Sequence, residues 1–353
     1  MPSKKVAIFG STGVNHGDDL MAILIARSLI CQGCTVSVAS MNPDKLANEF
    51  NDIRFFSSGK KNILGIIREV ASADKVLIGG GTLIQNDFNA KLSPILIYIC
   101  VVAVAARLLR KEVLFVSVGI NELSWKNKLI SRLLGKISGR VRDSVSVENA
   151  RKNGIRVSGL SVCPDIGFLC SSGLIKLPSD ISCNGYGVIS LVGEKLDAGA
   201  MSALLDAAIE GLLKKKVSKI YLLCMDLRKS EEYALYQRFQ DESGVEIFIE
   251  NSLASTLSLI AGAKFCVAMR LHAAIISTSY SVPTVVVARE DKQRFLREIV
   301  GKDRYLEFGR ADLGRALRLA IEGLNEGGCP QGLVDSYIDR AKISYGQLFA
   351  NYG

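Results

Sequence analysis

Histidine is nearly missing: 353 residues hold two, beside one tryptophan and seven prolines. No group of His, Cys, Asp and Glu with metal-ligand spacing occurs, so metal-dependent chemistry is not expected. Nothing repeats at a fixed period, which excludes a solenoid. The prolines and the 32 glycines are spread along the chain, which excludes a low-complexity linker protein. No apolar run reaches the roughly 18–20 residues needed to span a bilayer. The longest, Pro94 to Ala106, reads as a buried helix, with membrane contact as the second reading. The start, Met1 to Gly10, lacks the apolar core of a secretory signal. Nine cysteines without such a signal read as reduced thiols in the cytoplasm. Cys31-Gln-Gly-Cys34 has CxxC spacing with no second pair; packing at a helix end, with Gly33 as the cap, is favoured over a metal or redox role. Neither GxGxxG nor GxxxxGK[ST] is present, so nicotinamide and ordinary P-loop chemistry lose support.

What is present fits a soluble two-domain enzyme: 48% hydrophobic and 22% charged residues over a length that suits two domains. Short β-rich runs alternate with helical stretches. Strands are expected at Val6–Phe9, Thr35–Ser40, Lys75–Ile78, Val113–Val118 and Val141–Val145. Helices are expected at Asp18–Gln32, Asn62–Ala71, Ser93–Arg110, Lys126–Ile137 and from Val147 to about Asn153. A second series has strands Gly187–Leu191, Lys219–Cys224, Glu246–Ile249, Phe265–Ala268 and Thr284–Ala288. Its helices are Asp197–Lys216, Ser230–Ser243, Leu253–Ala261, His272–Ser279 and Gln293–Val300. Such βα alternation indicates parallel sheets. The expected fold class is α/β: two doubly wound, Rossmann-like domains, residues 1–172 and 173–353, facing a cleft, with Cys170–Asp180 as the linker. The last helix, about Leu333–Phe349, is a candidate to pack back on the first domain. Ligands in such folds bind at the carboxyl ends of the strands.

The net charge of +9 is concentrated: residues 107–156 hold 12 Lys/Arg against 4 Asp/Glu, while the rest of the chain holds 32 against 31. The window reads either as a solvated helix face or as the docking site of an anionic partner. Its aromatics are sparse and no nucleic-acid motif is present, so nucleic acid ranks last among the candidates.

Both histidines fall where ligands bind. His16 sits in the glycine-rich Gly10–Gly17 stretch after the first strand, and His272 in Arg270-Leu-His272 after a buried strand. A glycine-rich turn opening a helix can hold an anion through backbone N–H groups. Asp18 and Asp19 read equally as caps or as ligand contacts. Gly79-Gly80-Gly81 after the third strand suits either a close backbone approach or a tight turn. Arg142 beside Asp143 suits bidentate anion binding or a surface ion pair. Arg270 can fix an anion, and His272 can trade a proton near neutral pH.

At these residues the chain resembles the polysaccharide pyruvyl transferase family from about Val6 to Val300. Asn15-His-Gly-Asp-Asp19 is similar to its N-x-G-D-[DE] loop and Gly79-Gly-Gly-Thr-Leu83 to its glycine triplet. Arg142-Asp-Ser-Val-Ser146 is similar to R-D-x-x-S, and Pro164-Asp-Ile-Gly-Phe-Leu169 to D-x-x-F-L. Arg270-Leu-His272 with Val282-Pro-Thr-Val285 and Lys292 resembles the R-L-H…G-V-P-V…K block. The resemblance implies a GT-B-like fold, phosphoenolpyruvate as donor substrate with no separate cofactor, and a sugar diol of a cell-surface polysaccharide or its lipid-linked precursor as acceptor. The product would be a cyclic pyruvate ketal. The first domain would face the acceptor and the second the donor. His272 would be the general acid/base and Arg270 a donor contact. Arg142, Asp143, Asn15, His16, Gly17, Asp18, Gly79, Gly80, Gly81 and Lys292 would complete substrate binding. A lipid-linked acceptor would bring the protein to the inner face of the membrane, where the basic window could meet anionic lipid. Two other readings stand beside this one: a GT-B glycosyltransferase using a nucleotide sugar, and a non-catalytic protein of polysaccharide assembly. The trace of the latter would be Met269, where the family usually has Ser or Thr, and Arg289-Glu-Asp291.

Overall fold

The computed structural model describes residues 3–59, 62–87, 91–177, 185–192, 197–226, 231–239, 244–249, 252–325 and 329–350. The chain divides into two compact units: Met1–Leu169 with Asp339–Gly353, and Cys170–Ile338. The first contains β1 (Lys5–Phe9), α1 (His16–Ile30), β2 (Thr35–Ser40), α2 (Pro43–Glu49), β3 (Arg54–Ser57), α3 (Ile63–Ser72), β4 (Lys75–Ile84), α4 (Pro94–Leu108), β5 (Glu112–Ile120), α5 (Trp125–Ser131), β6 (Lys136–Val141), α6 (Ser144–Lys152) and β7 (Arg156–Val162). Its strands pair in parallel in the order β3-β2-β1-β4-β5-β6-β7. Alternate residues, among them Ala7, Phe9, Val76, Ile78 and Phe115, share one core with α3 and α4. The intervening Ile8 and Leu77 are equally buried, as a parallel sheet covered on both faces requires.

The second unit contains β8 (Gly187–Ser190), α7 (Ala198–Lys214), β9 (Ile220–Leu223), α8 (Glu231–Tyr236), β10 (Val245–Phe248), α9 (Leu253–Ala261), β11 (Phe265–Ala268), α10 (Leu271–Ser279), β12 (Thr284–Ala288), α11 (Leu296–Val300), β13 (Tyr305–Glu307) and α12 (Leu313–Glu322). A final helix, α13 (Gln331–Ala350), belongs to this unit up to Ile338 and to the first unit from Asp339 onward. There, Tyr345 donates its hydroxyl hydrogen to the Pro164 carbonyl at 3.0 Å. The second sheet is also parallel, in the order β10-β9-β8-β11-β12-β13. Ile189, Leu222, Val267 and Val285 share its core with Leu205 of α7 and Leu317 of α12. In each sheet the chain runs outward from the first strand and then returns to that strand's other side. The switch points, β1/β4 and β8/β11, open a crevice at the strands' carboxyl ends.

Several sequence expectations shift. The strand expected at Val141–Val145 is β6, five residues earlier. Its residues had been assigned partly to the helix Lys126–Ile137, which ends at Ser131 and gives way to a single 3-10 turn, Arg132–Leu134, before Gly135 at φ +69°. Val141 and Val145 mimic strand alternation, yet Asp143 caps α6 by accepting a hydrogen bond from the Ser146 N–H at 2.6 Å. The helix expected at Gln293–Val300 breaks into a 3-10 turn, Asp291–Gln293, closed by a Glu290/Gln293 capping box, and α11. The helix expected at Ser230–Ser243 is α8 with a 3-10 turn, Gln237–Phe239; Ser230 and residues 240–243 lie outside the described residues. Of the expected linker, Cys170–Ser172 close a 3-10 run that begins at Ile166, and residues 178–180 lie outside the described residues. Helix α1 is capped at Cys31, not Gly33, which lies beyond it at φ +79°.

Candidate functional site

In the first unit the candidate residues gather at the carboxyl ends of β1, β4 and β6. Asn15 is the N-cap of α1, and its side chain accepts a hydrogen bond from the Gly17 N–H at 2.8 Å. His16 is therefore the first helical residue, not a loop residue as the sequence suggested, and it is fully buried. Asp19, also fully buried, accepts a hydrogen bond from the Gly13 N–H at 2.5 Å and faces Lys45 Nζ at 3.5 Å. Burial pushes its carboxyl up to about 6, against the pull of Lys45. The glycine triplet does not follow a strand: β4 runs through it, and Gly79 and Gly81 pair with Val116 and Val118. Gly81, at φ +91°, has the Asp18 carboxylate where a Cβ would stand, 2.5 Å from Oδ1. A Cβ at Gly10 would lie 2.3 Å from the Gly79 carbonyl oxygen, so these two segments touch backbone to backbone. The triplet thus serves a close approach.

Arg142 is not part of a surface pair. It is 6% exposed and lies over Gly119, and its Nη2 donates to Thr82 Oγ1 at 2.6 Å. Asp143 Oδ2 stands 3.4 Å from its Nε and Asp165 Oδ2 stands 3.9 Å from its Nη1. Asp165 is 1% exposed; burial holds its carboxyl above the usual carboxylate range although Arg142 opposes this. Beside it Ser117, at φ +54°, forms a bulge in β5, and its Oγ accepts a hydrogen bond from the Ile166 N–H at 3.1 Å. A guanidinium facing two carboxylates is an oriented but largely neutralised cation.

In the second unit Arg270 is the N-cap residue of α10 and His272 its second residue, half-buried. Both lie at the β8/β11 switch point, and the Met269 N–H donates to the Ser190 carbonyl at 2.7 Å. Arg270 Nη2 donates to Glu232 Oε2 at 2.5 Å. Glu232 is 1% exposed, and burial pushes its carboxyl up to about 7 against the opposing pull of Arg270, with buried Asp226 adding to the rise. Gln293 fixes the neighbouring turns: Nε2 donates to the Met269 carbonyl at 2.8 Å, and Oε1 accepts from the Arg289 and Glu290 N–H groups. Lys292 Nζ pairs with Glu290 at 2.7 Å. The fully buried Ser190 Oγ has no hydrogen-bond partner among the described residues.

The sequence pointed to neither Glu232 nor Gln293; Asp19 was open as a cap or a ligand contact, and Thr82 stood only as a motif member. Asp165 stood in a quoted motif. Glu232 carried no signal, since an acidic residue opening a helix reads as solvated. Among the described residues no group of His, Cys, Asp and Glu is arranged to hold a metal ion.

The model of the family described as polysaccharide pyruvyl transferase matches residues 15–291, from the N-cap of α1 to the turn after β12. The chain belongs to that family. No curated protein sequence matches it significantly. Among solved structures, this pyruvyl transferase family member is similar to the UDP-GlcNAc 2-epimerase of Methanocaldococcus jannaschii, at 14% identity and a TM-score of 0.61 over 99% of this chain and 100% of that one. A glycosyltransferase from Rickettsia africae gives 11% identity and 0.60 over 100% and 98%. The Neisseria meningitidis epimerase, solved bound to UDP-GlcNAc, gives 12% and 0.55 over 99% and 97%. At such identities the likeness establishes the fold, two doubly wound α/β units of GT-B type, and nothing about substrate.

Proposed function

We propose that the protein transfers the pyruvyl group of phosphoenolpyruvate to two hydroxyls of a sugar in a cell-surface polysaccharide or its lipid-linked precursor. The observation that carries this reading is the Arg270-Leu271-His272 segment opening α10 at the switch point of the second sheet, in a chain of the pyruvyl transferase family. Phosphoenolpyruvate carries a carboxylate and a phosphate. Arg270 and the first-turn N–H groups of α10, which have no acceptor inside the helix, suit such anions. Glu232 orients Arg270, and near neutral pH a proton on Glu232 leaves the guanidinium charge available to the donor.

In the reaction His272 gives a proton to the methylene carbon of the donor, making a methyl group and an oxocarbenium-like centre. One acceptor hydroxyl adds to that centre, and its proton returns to the imidazole. Phosphate leaves, and the second hydroxyl closes the ketal, its proton passing to the departing phosphate. Proton transfer by a positioned side chain contributes about 10²–10⁴-fold. Arg142, Asn15 and the backbone of Gly79–Gly81 then belong to substrate binding in the first unit, with Asp18 the acidic group beside them. Lys292 adds a cation on the turn after β12.

A nucleotide-sugar glycosyltransferase remains the second reading, favoured by the fold likeness to proteins solved with UDP-GlcNAc. Thermal unfolding with phosphoenolpyruvate, UDP or UDP-GlcNAc separates the two. A ligand at 100 times its Kd stabilises by about 2.7 kcal/mol. Stabilisation by phosphoenolpyruvate that disappears in Arg270→Ala supports the pyruvyl donor; stabilisation by the uridine nucleotides alone supports the second reading. Silence with every ligand, together with biological function intact in His272→Ala, would favour a non-catalytic assembly protein.

A further inference from the structure

The outer surface of α4, α5 and the following 3-10 turn carries large apolar side chains in solvent. Ile97, Val101 and Leu108 recur at spacings of four and seven along α4, and Trp125, Leu129 and Leu133 at spacings of four along α5 and the turn. Each triplet therefore lies on one side of its helix. Their exposure runs from 39% at Ile97 to 70% at Trp125 and 79% at Leu108. The two elements pack side by side, clamped by Arg107, whose guanidinium donates to the Ala103 and Leu133 carbonyls. An exposed apolar face of this kind marks an interaction site.

The charge around the face selects its occupant. Residues 91–136 hold eight Lys/Arg and two Asp/Glu. Both acids are engaged, Glu112 with Lys75 at 3.0 Å and Glu122 with Lys128 at 3.4 Å. Arg110, Arg132 and Lys136 are exposed, and Lys126 lies over the Trp125 ring at 5.3 Å. A second copy of this chain would set these cations against each other, which disfavours self-association. Apolar side chains that include a tryptophan, ringed by Lys and Arg, match the boundary between acyl chains and anionic headgroups. No helix among the described residues is long and apolar enough to cross a membrane. We propose that the face formed by Ile97, Val101, Leu108, Trp125, Leu129 and Leu133 docks the protein on an anionic lipid bilayer, with the surrounding cations on the headgroups. The proposal stands apart from the identity of the donor.

Trp125 is the only tryptophan in the chain, so its emission reports on this face alone. The test is co-sedimentation with vesicles of phosphatidylcholine, with or without phosphatidylglycerol, read together with Trp125 fluorescence. Sedimentation with the anionic vesicles only, reversal by salt and a blue shift of the emission are expected. Leu129→Ser with Leu133→Ser should abolish both signals, and Lys126→Ala, Arg132→Ala and Lys136→Ala should each weaken binding about fivefold. All of these positions but half-buried Lys126 are exposed, and an unchanged unfolding temperature will show that the variants fold. No binding to anionic vesicles at low salt would overturn the proposal. So would binding with unaltered Trp125 emission, which would put the contact elsewhere. A blue shift that grows with protein concentration in the absence of lipid would overturn it in favour of a protein interface.

Discussion

Removing Arg270 strands a buried acid, and the consequence has a particular pH signature. Glu232 titrates near 4.5 when exposed and near 7 in the folded protein. Below pH 4.5 both states hold the proton and it costs nothing. Between 4.5 and 7 the unfolded chain releases it while the folded chain keeps it. Stability therefore falls by about 1.4 kcal/mol per pH unit, roughly 3 kcal/mol in all, and levels off above 7 where Glu232 ionises against Arg270. In Arg270→Ala the strongest influence favouring ionisation is gone, so Glu232 stays protonated above 7 and the decline continues. The stability difference between wild type and variant should be flat below pH 7 and grow by about 1.4 kcal/mol per unit above it. Two units higher it reaches about 3 kcal/mol, within the range for a broken buried pair. Urea denaturation midpoints from pH 5.5 to 9 measure this. Groups that titrate equally in both proteins cancel, and Glu232→Gln in the Arg270→Ala background should abolish the slope. A difference that does not change between pH 6 and 9 would refute Glu232 as the charge partner of Arg270.

Asp19 gives a second window: its carboxyl is raised from 3.8 to about 6, so it takes away about 3 kcal/mol of stability as pH rises through that interval. Asp19→Asn should lack that part of the slope in urea denaturation carried out from about pH 3.5 to 6.5. Gly10→Ala forces a methyl group onto the Gly79 carbonyl and should lower stability by at least about 1–3 kcal/mol, visible as a lower Tm. His272→Ala should reduce turnover by about 10²–10⁴-fold with an unchanged circular dichroism spectrum; wild-type turnover in the folded variant would remove His272 from the mechanism.

The strands that the sequence revealed with matching bounds were those almost wholly buried. Thr35–Ser40, Phe265–Ala268 and Thr284–Ala288 coincide with β2, β11 and β12, short segments of small, β-branched or aromatic residues that are almost wholly buried. The missed strands have weaker patterns. Arg156–Val162 is an edge strand interrupted by Gly159 with both faces half-exposed, Arg54–Ser57 is a partly exposed strand at the opposite edge, and Tyr305–Glu307 has three residues. The clusters were legible where short motifs follow strands, as at Asn15, Arg142 and Arg270, and where glycines run together inside one, as at Gly79–Gly81. The counter-charge of Arg270 was not, because burial makes Glu232 significant, and burial arises from the three-dimensional packing of distant segments. His16 was placed one step wrong, outside the helix it opens, whereas the helix expected from His272 begins one residue earlier, at Leu271. In each case the N-cap residue stands just ahead of the histidine, Asn15 in one and Arg270 in the other.

The most direct test of pyruvyl transfer is to incubate the protein with 3-¹³C-phosphoenolpyruvate and polysaccharide or lipid-linked glycan acceptors in D₂O and to examine the glycan by NMR. The account expects phosphate release matched by a labelled ketal methyl group on the glycan. That methyl group should carry one deuterium from the protonation step, and its formation should be strongly reduced in His272→Ala. A glycan that gains no label, while UDP-GlcNAc in its place donates a sugar, would contradict the account.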